Sequence, residues 1–460
     1  MHIHQTGMLF NRFVQKIRFL FGLDLKKIYK SEELLWIIFG QLGSLILGFG
    51  VIKLLTKMSP GEFGLYSLIL TISALVSAIL FGPAEQGFLR YYFEFKKKGL
   101  LETFFQQILK FILFATIFLL VLSIPASIFL KDKLHIVAEK RDYLFYFLTT
   151  FFVVLTSAST ISSSFLNLFR ERKINAKYQI LERAISLTLL ILIVYTFGID
   201  LFKVILSLCI TLIIVLLFKF KTLKNYIVPN HTTVSPDELK VLNGRLLFFC
   251  LPFIVWGITG WLQNSSDKWI ISSNLSLAEV GVFALLSTVS NYLIAMPIGL
   301  FTQFISPIVL SKSIEGNGDQ DQKTASRIFK QSIVFCSVYV LVISTTSIYW
   351  ADLILRLISN SQYVLPQKYL LGLLCLGGGI FQIAQILTVK GIIHDKPSIY
   401  LIPKILSGCI AVILNIILIK HNQILGIAIA MCITSICYLF LVLTVNLIGL
   451  KNKDTILSYK

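Results

Sequence analysis

The chain reads as an all-α polytopic membrane protein, about twelve transmembrane helices in two six-helix lobes, and three observations predict this. Apolar runs of 18 residues or more recur from end to end, each long enough to cross a ~30 Å hydrocarbon core as a helix. Hydrophobic residues make up 56% and charged residues only 14% of the 460, against roughly 25% charged in soluble domains. The third observation is an internal echo. Ser59–Ser73 returns as Ser276–Ser290 at an offset of 217, with Ser, Glu, Gly, Leu, Thr and Ser identical. Ten-residue alternating strand patterns are absent, which disfavours a β-barrel.

In chain order, residues 1–33 are polar and basic, with Arg12, Lys16, Arg18, Lys26, Lys27 and Lys30. Phe10, Phe13, Val14, Ile17 and Phe21 fall at near-helical spacing and predict an amphipathic surface helix over 10–29. Its cations favour an anionic cytoplasmic leaflet. The first long apolar run begins only at Leu34 and has no A-x-A site, so no cleavable signal peptide is expected.

Twelve spans follow, at roughly 34–55, 65–82, 104–130, 143–168, 175–197, 200–220, 246–272, 281–310, 330–350, 369–389, 398–419 and 424–449. They group as an N-lobe (34–220), a linker over 221–245 holding Pro229, Asn230, Ser235 and Pro236, a C-lobe (246–450) and a tail (451–460). With both termini inside, 28 Lys and Arg fall on the cytoplasmic side and 11 on the other, as expected when cations are retained in the cytoplasm. That count puts both copies of the echo on the external face, so the repeat is parallel, with its axis along the membrane normal. Cys209-Ile210-Thr211 and Cys432-Ile433-Thr434 repeat at a similar offset of 223.

The +19 net charge is spread over the cytoplasmic loops and does not predict a nucleic-acid partner. The seven cysteines lie within apolar segments and read as small buried residues. The six histidines are scattered among loops and the N-terminal tail, with no HExxH, P-loop or dinucleotide fingerprint. External loops are short, so no enzyme, catalytic residue, metal or cofactor is expected. Gly40-xxx-Ser44-xxx-Gly48 and Gly377-Gly378-Gly379 read as close-packing stripes.

Charges inside the spans are the functional signal, because each costs several kcal/mol in hydrocarbon unless it faces a cavity or a partner. Glu182 and Arg183 lie in span 5 and Lys404 in span 11, the equivalent helix of the second lobe. A cation in each predicts a shared central cavity. Asp267 and Lys268 end a polar run between Trp261 and Trp269, which also suits an outer interface with an aromatic belt. Lys110, and Arg90 with Glu85, lie near the inner interface, where a long side chain can snorkel.

Several segments resemble a known family. Leu55–Leu68 after a Gly-rich first span, Asp267–Ile271 followed by Glu279–Ala284, and Leu414–Leu418 leading to Gly426–Ala430 are similar, in order and spacing, to Wzx-type polysaccharide-unit flippases. These belong to the multidrug/oligosaccharidyl-lipid/polysaccharide exporter superfamily. The resemblance implies transport of an undecaprenyl-pyrophosphate-linked oligosaccharide across a bacterial inner membrane for surface polysaccharide such as O-antigen. Arg183, Lys404 and Lys268 would then contact the anionic headgroup, and Asp267 and Glu182 would orient them or couple protons. No cofactor is implied; the driving ion would be H+ or Na+. Membrane lipids, a polysaccharide polymerase and a chain-length regulator are the implied partners. The alternatives are a cation-coupled multidrug exporter of the same fold and a peptidoglycan lipid-precursor flippase, the latter usually with fourteen spans.

Overall fold

The computed structural model describes residues 32–134, 142–226, 236–314, 319–359, 362–363, 369–394 and 396–448. The amphipathic segment over 10–29, most of the charged loop over 131–142 and residues 227–235 of the linker lie outside these residues. Among the described residues the regular structure is entirely helical. The helices are α1 (Glu32–Leu55), α2 (Pro60–Val76), α3 (Gly82–Lys97), α4 (Leu101–Leu134), α5 (Asp142–Leu168), α6 (Arg172–Thr196), α7 (Leu201–Lys224) and α8 (Pro236–Asn274). Then come α9 (Leu277–Ser290), α10 (Met296–Ile314), α11 (Asp319–Tyr349), α12 (Ala351–Ile358), α13 (Leu370–Leu387), α14 (Val389–Ile393) and α15 (Leu401–Ile448).

Among the described residues ten helical stretches are long and apolar enough to cross a membrane, and Phe39–Leu55 is a shorter eleventh. The last of the ten, Ser398–Ile448, contains Gln423 at φ 49°, outside the helical region. A non-glycine residue there breaks the rod into two spans, which brings the count to the expected twelve. Several helices outrun their expected spans. α2 continues through a π-helical turn (Ser77–Phe81) into α3, so Glu85 and Arg90 sit on a continuous rod rather than in a loop. A π-turn widens a helix without ending it.

Both copies of the echo start a helix by the same chemistry. Ser59 Oγ accepts from the Glu62 amide at 3.3 Å while Glu62 Oε2 accepts from the Ser59 amide at 3.1 Å. Ser276 and Glu279 repeat this capping box at 3.3 and 2.9 Å. Each helix then runs into a π-turn, Ser77–Phe81 after α2 and Asn291–Ala295 after α9. The shared glycine has another use than the bend its position suggests. A Cβ at Gly64 would lie 2.1 Å from the Leu277 carbonyl oxygen, and one at Gly281 would lie 1.9 Å from the Pro60 oxygen. The first turns of α2 and α9 thus touch reciprocally, backbone on backbone, as two-fold-related elements do.

The chain divides into two compact units, with the described parts of 36–284 and 356–364 in one and of 32–35, 285–355 and 365–448 in the other. The division falls within α9 rather than in the 221–245 segment. Its physical reason is α8, which packs on α2 and α3. Trp261 and Trp269 donate to the Thr71 oxygen atoms at 2.7 and 2.8 Å. A Cβ at Gly257 would lie 2.3 Å from the Ala78 carbonyl oxygen.

In the first unit Phe81, Phe88, Phe95, Phe104 and Phe165 pack a core among α3, α4 and α5. Many of its ring pairs meet edge to face, as Phe88 and Phe104 do at 6.1 Å, the geometry aromatic quadrupoles favour. Gly40 meets Ala176 of α6, where a Cβ would come within 2.7 Å of the Ala176 Cβ. The second unit is built on α11, α13 and α15. A Cβ at Gly379 would fall 2.3 Å from Val340, and one at Gly377 would fall 3.2 Å from the Cys432 amide nitrogen. Both glycine stripes are therefore packing surfaces.

Candidate functional site

The first unit buries a polar cluster near the end of its helices that the cation count assigns to the cytoplasm. Lys219 of α7 is 1% exposed. Its Nζ donates to Ser159 Oγ at 2.7 Å, Ser163 Oγ at 2.9 Å and the Ser159 carbonyl at 3.2 Å. Three donors thus meet three oxygens of α5. Glu182 of α6 stands 3.9 Å away with its side chain 26% exposed and accepts from Ser159 Oγ at 3.5 Å. The carboxylate is an outer, partly wetted partner, so the ammonium is held mainly by hydroxyl and carbonyl dipoles.

Lys219 is the residue that sequence reasoning missed. It ends an apolar run and counts naturally as a loop cation. The available signal was in span 4, where Ser157, Ser159, Ser162, Ser163 and Ser164 interrupt an apolar helix and imply something to bind. Ser164 answers another charge, donating to Glu85 Oε1 at 2.5 Å.

One turn before Glu182, Tyr178 shares a 2.7 Å hydrogen bond with Thr222 Oγ1. In the second unit Tyr400 donates to Asn446 Oδ1. Cys209 donates to the Leu148 carbonyl at 3.9 Å and Cys432 to the Leu373 carbonyl at 3.3 Å. The tyrosines repeat at an offset of 222 and the cysteines at 223, and the register beside the charges is counted from the tyrosines, which stand one turn away. Lys404 lies four residues beyond Tyr400, as Glu182 does beyond Tyr178, so Lys404 aligns with Glu182 and not with Arg183. One residue is a rotation of about 100° on a helix. Accordingly Arg183 is exposed, whereas Lys404 is 5% exposed inside its own unit.

Lys404 Nζ sits 4.7 Å from the Phe381 ring centre and 5.7 Å from that of Tyr438. Ring faces attract a desolvated cation, and no carboxylate pairs with it among the described residues. One register position therefore bears an acid beside Lys219 in the first unit and a ring-held cation in the second.

The remaining candidates are separated. Arg90 of α3 and Lys110 of α4 are exposed side chains on spanning helices. Asp267 and Lys268 are half-buried on α8, and Asp267 Oδ1 accepts from the Lys268 amide at 2.7 Å. Trp269 beside them is anchored to Thr71 Oγ1 at 2.8 Å. At the end that the cation count assigns to the cytoplasm, Tyr226 stacks on Phe169 with ring centres 4.4 Å apart. Its phenol is pushed up to about 12, first by its hydrogen bond to Glu171 and then by burial.

The sequence matches no family model and no curated protein. Solved structures do match in fold. A lipid II flippase, MurJ, in an inward closed conformation superposes with a TM-score of 0.67 at 15% identity, over 90% of this chain and 86% of that one. A multidrug resistance MATE family transporter of the MOP superfamily, inward-facing, gives 0.65 at 12% identity over 87% and 93%. A Vibrio cholerae MATE transporter gives 0.56 at 12% identity over 92% and 96%. The fold is MATE- and MurJ-like, and the chain is a multi-pass membrane protein.

Proposed function

We propose that this chain is a flippase that carries an undecaprenyl-pyrophosphate-linked oligosaccharide from the cytoplasmic to the outer leaflet of a bacterial inner membrane, supplying a surface polysaccharide. The observation that carries the reading is electrostatic. Arg183, Lys110 and Arg90 are exposed on spanning helices, and none has an acidic partner among the described residues. Arg90 and Lys110 lie near the inner interface within snorkelling reach of water, whereas Arg183 lies deeper, where an unpaired cation costs several kcal/mol unless water or an anion meets it. A pyrophosphate headgroup is such an anion, and its sugars need a polar path while the polyprenyl tail stays in lipid. Lys404 and Lys268 add to the positive bias, and Glu182 and Asp267 are the groups able to take up the coupling H+ or Na+. Alternating access of the two six-helix lobes accounts for the crossing without catalysis. Both termini are proposed to be cytoplasmic, and a polymerase and a chain-length regulator to act on the product.

A multidrug exporter of the same fold is the reading to beat, and a lipid-precursor flippase shares the anion chemistry. An exporter of cationic drugs needs acids where these exposed side chains are basic. Deleting the gene should accumulate lipid-linked sugar repeat units with drug sensitivity unchanged, and Arg183→Ala should lower surface polysaccharide. Raised drug sensitivity with normal polysaccharide would overturn the proposal.

A further inference from the structure

Within the first unit, α3, α4 and α8 enclose a groove of about 800 Å³, toward the top of the roughly 300–1,000 Å³ that accommodates a drug-sized ligand. It runs from Phe104 to Phe114 along α4 and from Asn243 to Ile254 along α8. At 1.5 Å per residue that is about 15 Å, half of a ~30 Å hydrocarbon core. Gln107 and Asn243 lie toward the end assigned to the cytoplasm together with Phe95 and Phe104, Lys110 follows six residues beyond Phe104 on α4, and the deeper part is formed by apolar residues such as Ile79, Leu80 and Ile254. Phe114, Leu247, Phe248 and Leu251 on the rim are 70, 65, 78 and 54% exposed. On spanning helices such side chains face hydrocarbon, so the groove opens to the bilayer. Lys110 is the one charged side chain in the lining, it has no acidic partner among the described residues, and its stem can lift the ammonium toward the headgroup level.

We infer that this groove holds the phosphate-proximal part of a polyprenyl phosphate chain, with Lys110 on the phosphate and the first isoprene units against the apolar wall. The inference deepens the flippase reading and rests on it for the choice of lipid. An apolar slot about one leaflet deep, with a single lysine whose stem reaches back toward the headgroup level, matches an anionic head on a hydrocarbon chain. It places the tail outside the polar path that the sugars need, so head and tail travel by separate routes.

The test uses the full-length protein in nanodiscs and a photoactivatable undecaprenyl phosphate with no sugar, its labelling sites mapped by mass spectrometry. Labelling is expected on α3, α4 and α8, competed by undecaprenyl phosphate and not by phosphatidylglycerol. Lys110→Gln should weaken labelling about tenfold, the share of one charge-assisted hydrogen bond, and leave labelling by an uncharged polyprenol analogue unchanged. Gly244→Trp should block the mouth. A Cβ at Gly244 has no atom within 4 Å, so thermal unfolding should be unaffected. Labelling elsewhere, equal competition by phosphatidylglycerol, or no response to either variant would overturn the inference. The probe carries no headgroup sugar and crosses nothing. Labelling in the groove without oligosaccharide transport would therefore remove the flippase reading and keep the site, and transport with labelling elsewhere would do the reverse.

Discussion

The reciprocal contact of Gly64 and Gly281 makes a prediction that can be worked through. A methyl group at Gly281 would stand 1.9 Å from the Pro60 carbonyl oxygen and one at Gly64 2.1 Å from that of Leu277, whereas ordinary contact begins at 3.4 Å. The obstructing atoms are backbone, which no rotamer change can move aside. The two helix starts must part. Overpacking of this kind costs about 1–3 kcal/mol, partly offset by the ~1 kcal/mol that alanine gains over glycine in a helix. Once the first methyl has parted the helices, the second meets less resistance. The double variant should therefore lose less than the two singles together, with a coupling of about 0.5–3 kcal/mol. Gly61→Ala is the control on the same turn, because nothing lies within 4 Å of a Cβ there. The assay is thermal unfolding in detergent followed by a thiol-reactive dye, since Cys209, Cys250, Cys336, Cys375 and Cys432 are buried and report on opening. Gly64→Ala and Gly281→Ala should lower Tm, Gly61→Ala should not, and the cycle should be non-additive. Strict additivity, or a Gly281→Ala protein as stable as Gly61→Ala, would refute the reasoning.

Three further outcomes are expected. In the same assay Glu182→Gln should cost no more than about 1 kcal/mol, since the carboxylate is partly wetted and 3.9 Å from Lys219. Ser159→Ala, which removes a 2.7 Å acceptor from a buried ammonium, should cost about 1.5–3 kcal/mol, and a reversed order would show that the ion pair dominates. Tyr226 titrates at about 12, above the ~10 of an unfolded tyrosine. Its contribution is full below pH 10 and lost as pH rises through 12, so tyrosinate absorbance of the parent minus Tyr226→Phe should show a component near 12, and one near 10 would count against the Glu171 bond. Finally, on a cysteine-free background, an impermeant thiol reagent outside the cell should label Cys at Lys57 or Asn274, but reach Cys at Lys97 or Lys224 only after permeabilisation. The opposite pattern would invert the topology.

Fold class and span number were legible in the sequence because hydrocarbon imposes a one-dimensional rule. A spanning helix must be apolar for about twenty residues whatever it packs against, and the capping boxes at Ser59 and Ser276 are equally local. Resemblance in ordered motifs reached the superfamily fold. The charged sites were legible as a set of residues but not as an arrangement. Arg183 and Lys404 look equivalent in a sequence aligned only to the nearest span. The Tyr178 and Tyr400 hydrogen bonds shift that register by one residue, which sends one side chain outward and the other under two rings.

Lys219 shows the same limit from the other side. At the end of an apolar run, burial and snorkelling read identically until the facing serines are placed. The sequence alone therefore determined that this chain lives in a membrane as a duplicated bundle of helices, since those properties follow from local composition and period. Which charges are paired, which are bare, and where a groove opens among α3, α4 and α8 were decided only by tertiary structure. Those depend on helix rotation and on neighbours from about twenty to more than a hundred residues away.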